Sequence, residues 1–295
     1  MITKLYRKYI SQEIRDKIYE LFLGKFLFFL RNLPENLKAI AICRLSLFLP
    51  ATTENKLYAF MGKNGLTPCP YDFMLKYKNL SIDSIYDSQQ EMYYVFHEGK
   101  KLYFPSFCTK MDAIASYRNL IIEQDIRSPH RYIYDPKRLT GKTILDMGAA
   151  EGIFSLGIID IANHVYLFEC DKNWISALNA TFAPWKEKVT LISKYVSDID
   201  DESNISIDHF LEGKEKNNLF FKMDIEGCEQ AALKGAEKTL KEAHDLDYAI
   251  CTYHRKNDPE EINQLLSDHH FESEFTEGFL YFDKDFRKAI IRRKI

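Results

Sequence analysis

The stretch Asp146-Met147-Gly148-Ala149-Ala150-Glu151-Gly152 follows the apolar run Thr143 to Leu145. It precedes the helically spaced Ile153, Phe154, Leu156 and Ile159. A second apolar run, Val165 to Phe168, then ends on Glu169. Strand, glycine-bearing turn, helix and acid-tipped strand make a nucleoside-binding βαβ unit. Gly148 permits a tight turn, and Gly152 lets the start of the helix lie close to a ligand. Glu169 is placed to accept hydrogen bonds from both hydroxyls of a ribose. Dinucleotide sites usually spell G-x-G-x-x-G, which frees backbone amides for a pyrophosphate. Here the spacing is D-x-G-x-x-x-G, with Ala150 where the second glycine would stand.

Two carboxylates, Asp146 and Glu151, flank that loop and suit a cationic, phosphate-free ligand better than a diphosphate. S-adenosylmethionine, with its sulfonium and amino groups, is a ligand of that kind. A second constellation follows in Phe220-Phe221-Lys222-Met223-Asp224-Ile225-Glu226-Gly227. In a parallel α/β sheet ligands sit beyond the carboxyl ends of strands. Asp224 and Glu226, two apart at such an end, point the same way if the strand continues. His254 lies just past another apolar strand, Tyr248 to Thr252, with Tyr253 beside it. Two routes for removing a hydroxyl proton are open. His254 could act as a general base, or Asp224 and Glu226 could hold a divalent cation that lowers the hydroxyl pKa. A structural role for Asp224, accepting amides at the start of the next helix, competes with both.

These motifs together resemble those of FkbM-type S-adenosylmethionine-dependent methyltransferases. The matching pieces are DMGAAEG, FEC with Glu169, Ser206-Ile207-Asp208, KMDIEGCEQAALKGA and Cys251-Thr252-Tyr253-His254, spread over residues 141 to about 283. Ala150 stands where many members of that family carry asparagine. The resemblance implies a class I, Rossmann-like methyltransferase fold with a mostly parallel seven-stranded sheet and helices on both faces. It implies transfer to a hydroxyl, usually of a sugar or glycosylated product. Carried onto this chain, Asp146, Gly148, Ala149 and Gly152 would line the methionine part of the cofactor, Glu169 would hold the ribose, and Asp198 would reach the adenine amino group. A nicotinamide-dependent sugar oxidoreductase and a catalytically silent scaffold are the competing classes. No Tyr-x-x-x-Lys pair suited to hydride transfer is evident.

Strands and helices alternate from residue 141 on, through helices at Trp174–Phe182 and Glu229–Leu240 to short strands near 271–275 and 279–282. This order predicts a parallel sheet covered on both faces, with an antiparallel edge. The methyltransferase domain is expected over residues 136–295. Residues 1–135 form an α+β accessory or cap region with helical spacing in the first fifty residues and a hairpin over 93–104. Ser128 to Tyr132 precede the first core strand, so His130, Arg131 and Tyr132 are expected at the cleft mouth as acceptor-binding groups, together with Tyr253. Trp174 and Trp185 read as core residues.

The chain has 295 residues, 46% hydrophobic and 28% charged, with a net charge of -3. That composition fits a globular protein and gives no reason to expect a nucleic-acid partner. The six cysteines show no metal spacing and read as reduced, mostly buried thiols of a cytoplasmic protein. The most apolar segment, Leu21 to Leu30, carries Lys25 and is too short to span a bilayer. A buried helix is expected there, with a peripheral membrane contact as the alternative.

Overall fold

Short apolar runs build the centre of a seven-stranded sheet in the computed structural model, which describes residues 24–243 and 245–294. The helical pattern expected over Ile2 to Phe22 lies outside the described residues. The strands are β4 (Thr143–Met147), β5 (His164–Phe168), β6 (Val189–Ile192), β9 (Leu219–Met223), β10 (Leu246–Cys251), β11 (Ser273–Phe275) and β14 (Ile290–Arg293). Their spatial order is β11-β14-β10-β9-β4-β5-β6. β10, β9, β4, β5 and β6 run parallel, and β14 lies antiparallel to β10. Every residue of β9 is buried, as a central strand covered on both faces requires. This is the expected α/β architecture, and its order reverses between β4 and β9. The carboxyl ends of those two strands therefore open the crevice in which such sheets bind ligands.

Helices α5 (Ile153–Ile158), α6 (Lys172–Phe182), α7 (Ile207–Phe210), α8 (Glu229–Lys234), α9 (Glu237–Glu242) and α10 (Asp258–Asp268) connect these strands. The single helix expected over Glu229–Leu240 is broken at Gly235-Ala236. A Cβ on Gly235 would lie 2.1 Å from the Ser197 carbonyl oxygen, so the close approach of that loop interrupts the helix. Two short strands, β7 (Tyr195–Val196) and β8 (Asn204–Ile205), pair in this loop region. Ser206 caps α7 by accepting the His209 amide, while the Asp208 carboxylate accepts the Lys238 and Thr239 amides at the start of α9. The Ser-Ile-Asp motif thus stitches helix ends together.

The terminal strands differ from expectation. β11 pairs with β14, whereas β12 (Leu280–Phe282) pairs with β13 (Asp285–Arg287) as a separate hairpin. Ile290–Arg293, whose two arginines hide its strand character, inserts between β11 and β10.

Two compact units divide at Asp72 and Phe73, not near residue 135. In the second unit a three-stranded antiparallel sheet, β1 (Ser84–Asp87), β2 (Met92–His97) and β3 (Lys100–Tyr103), turns at Glu98-Gly99, both with positive φ. It packs on α4 (Lys110–Glu123), α5 and α6, and the Thr181 hydroxyl accepts the Tyr103 amide at 3.0 Å. These contacts join residues 73–135 to the large sheet.

The first unit holds α1 (Gly24–Arg31), α2 (Leu33–Leu45) and α3 (Thr53–Asn64). The burial expected around Leu21–Leu30 is not found for its described side chains: Leu27, Phe28, Phe29 and Leu30 are exposed. The cysteines are also less buried than expected, since only Cys69 and Cys251 are fully enclosed.

In that unit α2 and α3 cross so closely that a Cβ on Gly62 would lie 2.2 Å from the Ala39 carbonyl oxygen. Gly62→Ala is therefore expected to destabilise the helix pair by about 1–3 kcal/mol, the usual cost of overpacking. Chemical denaturation followed by circular dichroism would show a lower midpoint; an unchanged midpoint would mean that the pair separates at no cost.

Candidate active site

The turn after β4 is closed by its own amides. Gly148 and Ala149 both donate to the Phe168 carbonyl, at 3.0 and 3.1 Å, and Gly152 donates to Ala149 at 2.7 Å. Ala150, with φ of 45°, donates to Glu169 Oε2 at 2.9 Å. Gly148 has φ of 77°, and a Cβ there would meet the Asp224 carbonyl oxygen at 1.9 Å. A Cβ on Gly152 would collide with Leu178 and Phe182 on α6. Both glycines are therefore required by the approach of other parts of the protein. With these amides turned inward, the turn offers no nest for a pyrophosphate.

A cavity of about 360 Å³ opens beside this turn, with Gly148, Ala150, Glu169, Trp174, Tyr195 and Asp224 among its walls. Glu169 Oε1 also accepts the Asp171 amide at 2.8 Å. Each of its oxygens thus holds one backbone amide and keeps a second acceptor direction. Phe168, Trp174 and Tyr195 give aromatic surface near it. Trp174, expected in the core, in fact lies between a small apolar cluster around Met92 and this cavity. Asp171, Glu226 and Asp224 complete an acidic lining in which Lys194 is the basic member.

Asp224 organises the far end. Its Oδ2 accepts the Tyr132 hydroxyl at 2.6 Å and its Oδ1 the Tyr253 hydroxyl at 3.3 Å. His130 Nε2 lies 3.7 Å from Oδ2 and His254 Nε2 3.5 Å from Oδ1. Burial pushes the Asp224 carboxyl upward, but Lys222, His130, Tyr132 and His254 outweigh it and hold its pKa at about 2. Burial pushes His130 down to about 4, leaving a neutral ring. His254 is also disfavoured as a cation by burial, yet Glu229, Asp224 and Glu226 raise its pKa above the ordinary 6.5. The decisive contact is a 2.8 Å hydrogen bond from His254 Nδ1 to Glu229 Oε1, which also accepts the Ile225 amide. That bond fixes the ring and leaves Nε2 buried without a hydrogen-bond partner, 3.6 Å from Glu226 Oε2.

Beneath this layer Lys222 Nζ lies 3.0 Å from Asp146 Oδ1 and donates to the Gly148 carbonyl. Asp146 is completely buried and accepts the Ser155 hydroxyl at 2.6 Å. Burial disfavours the Lys222 ammonium, but Asp146 and Asp224 more than compensate and raise its pKa.

The residues singled out from sequence sort into three places. Gly148, Glu169, Asp224 and Glu226 line the cavity; His130, Tyr132, Tyr253 and His254 gather around Asp224. Asp146, Ala149 and Gly152 lie beneath or behind the turn, and Asp198 is an exposed residue outside the cavity lining. Arg131 faces a separate cavity of about 400 Å³ with His97, Gln124 and Phe154. Lys222 and Glu229 were not identified as site residues from sequence. A lysine inside Leu219–Met223, otherwise wholly apolar, was the available signal; Glu229 read only as a helix-start acid.

Metal-type donor atoms converge within 4.8 Å in two groups among the described residues: Asp224, Glu229 and His254, and His130, Asp224 and Cys251. Glu226 belongs to neither. In both groups the donors already bond to one another or to the neighbouring tyrosines, so the observed arrangement is that of a hydrogen-bonded network.

Two substitutions separate these layers. Glu169→Ala should weaken S-adenosylhomocysteine binding by about 1–3 kcal/mol, measured by calorimetry. Lys222→Met should strand the buried Asp146 charge and lower stability by about 3–5 kcal/mol in denaturant unfolding. A Lys222→Met variant as stable as the parent would contradict the ion pair.

Residues 146–273 match the model of the Methyltransferase FkbM domain. No curated protein matches the chain. Among solved structures, a methyltransferase FkbM from Methylobacillus flagellatus KT is 20% identical with a TM-score of 0.42, over 61% of this chain and 54% of that one. This chain thus spans about half of that relative's length. Trm5b from Pyrococcus abyssi is 15% identical with a TM-score of 0.42, over 72% of this chain and 62% of that one. Magnesium protoporphyrin IX methyltransferase from Synechocystis PCC 6803, solved with bound SAM, is 12% identical with a TM-score of 0.35, over 53% of this chain and 72% of that one. That match takes in the glycine turn, the acidic strand ends and Tyr253-His254, so a little under half of the chain resembles a Methyltransferase FkbM domain.

Proposed function

We propose that this domain methylates a hydroxyl group of a sugar, on a surface glycan or its precursor. The observation that carries the reading is His254: Glu229 holds its Nδ1, and its unpartnered Nε2 faces Asp224 at the end of the acidic cavity. The cavity suits the cofactor. Glu169 has acceptor directions left for ribose hydroxyls, the aromatic walls suit a purine, and the carboxylates favour a cation. When bound, S-adenosylmethionine supplies an activated methyl group on its sulfonium.

The protein's own part is alignment and proton removal. Asp224, ionised and fixed by two tyrosine hydroxyls, places negative charge at the transfer end. An acceptor hydroxyl entering between Asp224 and Glu226 would come within reach of His254 Nε2, which would hold and take its proton. Glu229 keeps the Nδ1 proton in place, selects the tautomer with a basic Nε2 and stabilises the imidazolium that forms. His130, Tyr132 and Tyr253 shape the floor through neutral donors, and Arg131 lies off this path. Glu226, its side chain 89% exposed, offers an acceptor at the rim for a second hydroxyl of a polyhydroxylated substrate. The spent amides of the turn weigh against a nicotinamide dinucleotide, and the retained charge network weighs against a silent scaffold.

Calorimetric titration with S-adenosylhomocysteine, with NAD in parallel, tests the cofactor class. Micromolar binding of the former alone is expected, about -8 kcal/mol; binding of NAD alone would overturn the reading. His254→Ala should leave that affinity nearly unchanged and reduce turnover on a glycan acceptor by about a hundredfold or more. Because the base works when neutral, turnover should rise with pH through the raised pKa of His254 and then level off. Glu229→Gln removes the charge that raises it, so the acid limb should move to lower pH. A limb that stays put would remove His254 from the mechanism.

A further inference from the structure

The first unit carries an apolar face turned outward. On α2, Leu33, Leu37, Ala41 and Leu45 recur every four residues and so form one stripe, and all four are exposed. Asn36 and Ala39, on the other side of the same helix, are the buried ones. Exposed apolar side chains also flank it in the sequence on both sides. Leu27, Phe28 and Leu30 of α1 are exposed before it, and Leu47 and Phe48, 92% and 84% exposed, project from the turn after it. Scattered exposed leucines need no explanation, but a contiguous set ending in two fully projecting side chains does.

Charge identifies the partner. Residues 24–50 hold Lys25, Arg31, Lys38 and Arg44 against the single acid Glu35, in a chain whose net charge is -3. Arg31 and Arg44 are exposed, while Lys38 is held by the Tyr58 hydroxyl and lies 3.6 Å from Glu54. Arg44 precedes Leu45 and borders the stripe directly. Across a two-fold contact between copies of this chain, that position would bring like charges together in an apolar interface. At a bilayer the same side chain lays its stem on the acyl region and its guanidinium among phosphates. No helix among the described residues is long and apolar enough to cross a membrane, so the contact is parallel to the surface.

We propose that α1, α2 and the Leu47-Phe48 turn form a docking surface for an anionic phospholipid bilayer. Leu47 and Phe48 enter the boundary between headgroups and acyl chains, and Arg31 and Arg44 meet lipid phosphates. This surface is independent of the methyl-transfer reading, since it rests on the first unit alone.

The test is flotation of the full chain with vesicles of phosphatidylcholine alone or with one-third phosphatidylglycerol, a fraction of about 0.3 chosen to give a strongly anionic surface. Binding to the anionic vesicles is expected, weakened by salt and reduced by about tenfold or more in Leu47→Ser/Phe48→Ser and in Arg44→Glu. Because these side chains are exposed, the variants should keep the parent's melting temperature and S-adenosylhomocysteine affinity. Absence of binding to either vesicle would overturn the proposal, as it would if residues 1–23 or a second copy covered the face in solution. A dimer in light scattering that the Leu47→Ser/Phe48→Ser variant dissolves would overturn it in favour of self-association. Vesicle binding unchanged by both variants would also overturn it, by placing the contact elsewhere on the chain.

Discussion

A buried line of charge joins the two central strands. Asp146 is the penultimate residue of β4, Lys222 the penultimate residue of β9, and Asp224 lies just beyond that strand, so the buried ammonium pairs with Asp146 and is stabilised by the charge of Asp224 as well. Isolated, each of these groups would be expensive to bury; together they compensate, and that requirement fixes how the two loops meet. Lys222 also reaches the Gly148 carbonyl, tying the glycine turn to the strand that leads into Asp224. Tyr132 and Tyr253 converge on Asp224 because its ionised carboxylate is the acceptor that their hydroxyls need, and His130 Nε2 bonds in turn to the Tyr253 hydroxyl.

The parallel core was legible because its signals are local. Apolar runs of strand length alternate with helically spaced segments, and acids mark the strand ends. Glu169 and Asp224, singled out at acidic strand ends, line the cavity, and His254 lies beside Asp224. The site was less legible where a residue acts through a neighbour. Glu229 has the composition of any first-turn acid, and only the fold brings it under His254. Arg131 was misleading for the converse reason: adjacent residues in an irregular segment point to different cavities, so His130 and Tyr132 face Asp224 while Arg131 turns away. Gly148 and Gly152 read as a tight turn and a close approach to a ligand; a Cβ on the first would meet Asp224, and on the second it would meet α6 rather than open space.

Division of the chain was harder to read. The hairpin and α4 have no motif, and sequence composition changes near residue 135. Yet their packing against α5 and α6 places them with the methyltransferase sheet. Consequently the C-terminal end of α4 can reach the active site. Glu123, its last residue, lies near Asp224 and Glu151, and burial together with those two charges lifts its carboxyl to about 8. The acidic character of the cleft is thus shared between the parallel sheet and the segment packed on it.

The closure of the turn by its own amides has a thermodynamic consequence. A loop whose donors waited for a ligand would be loosely defined until one arrived, and association would include the entropy of ordering it. Here Gly148, Ala149, Ala150 and Gly152 reach their hydrogen-bonded conformation as part of folding. The cavity wall is a preorganised surface, and on the proposed reading a ligand meets it by displacing water from Glu169 and the aromatic rings. What distinguishes one nucleoside ligand from another is then their hydration and charge, since the turn itself cannot reshape to suit them.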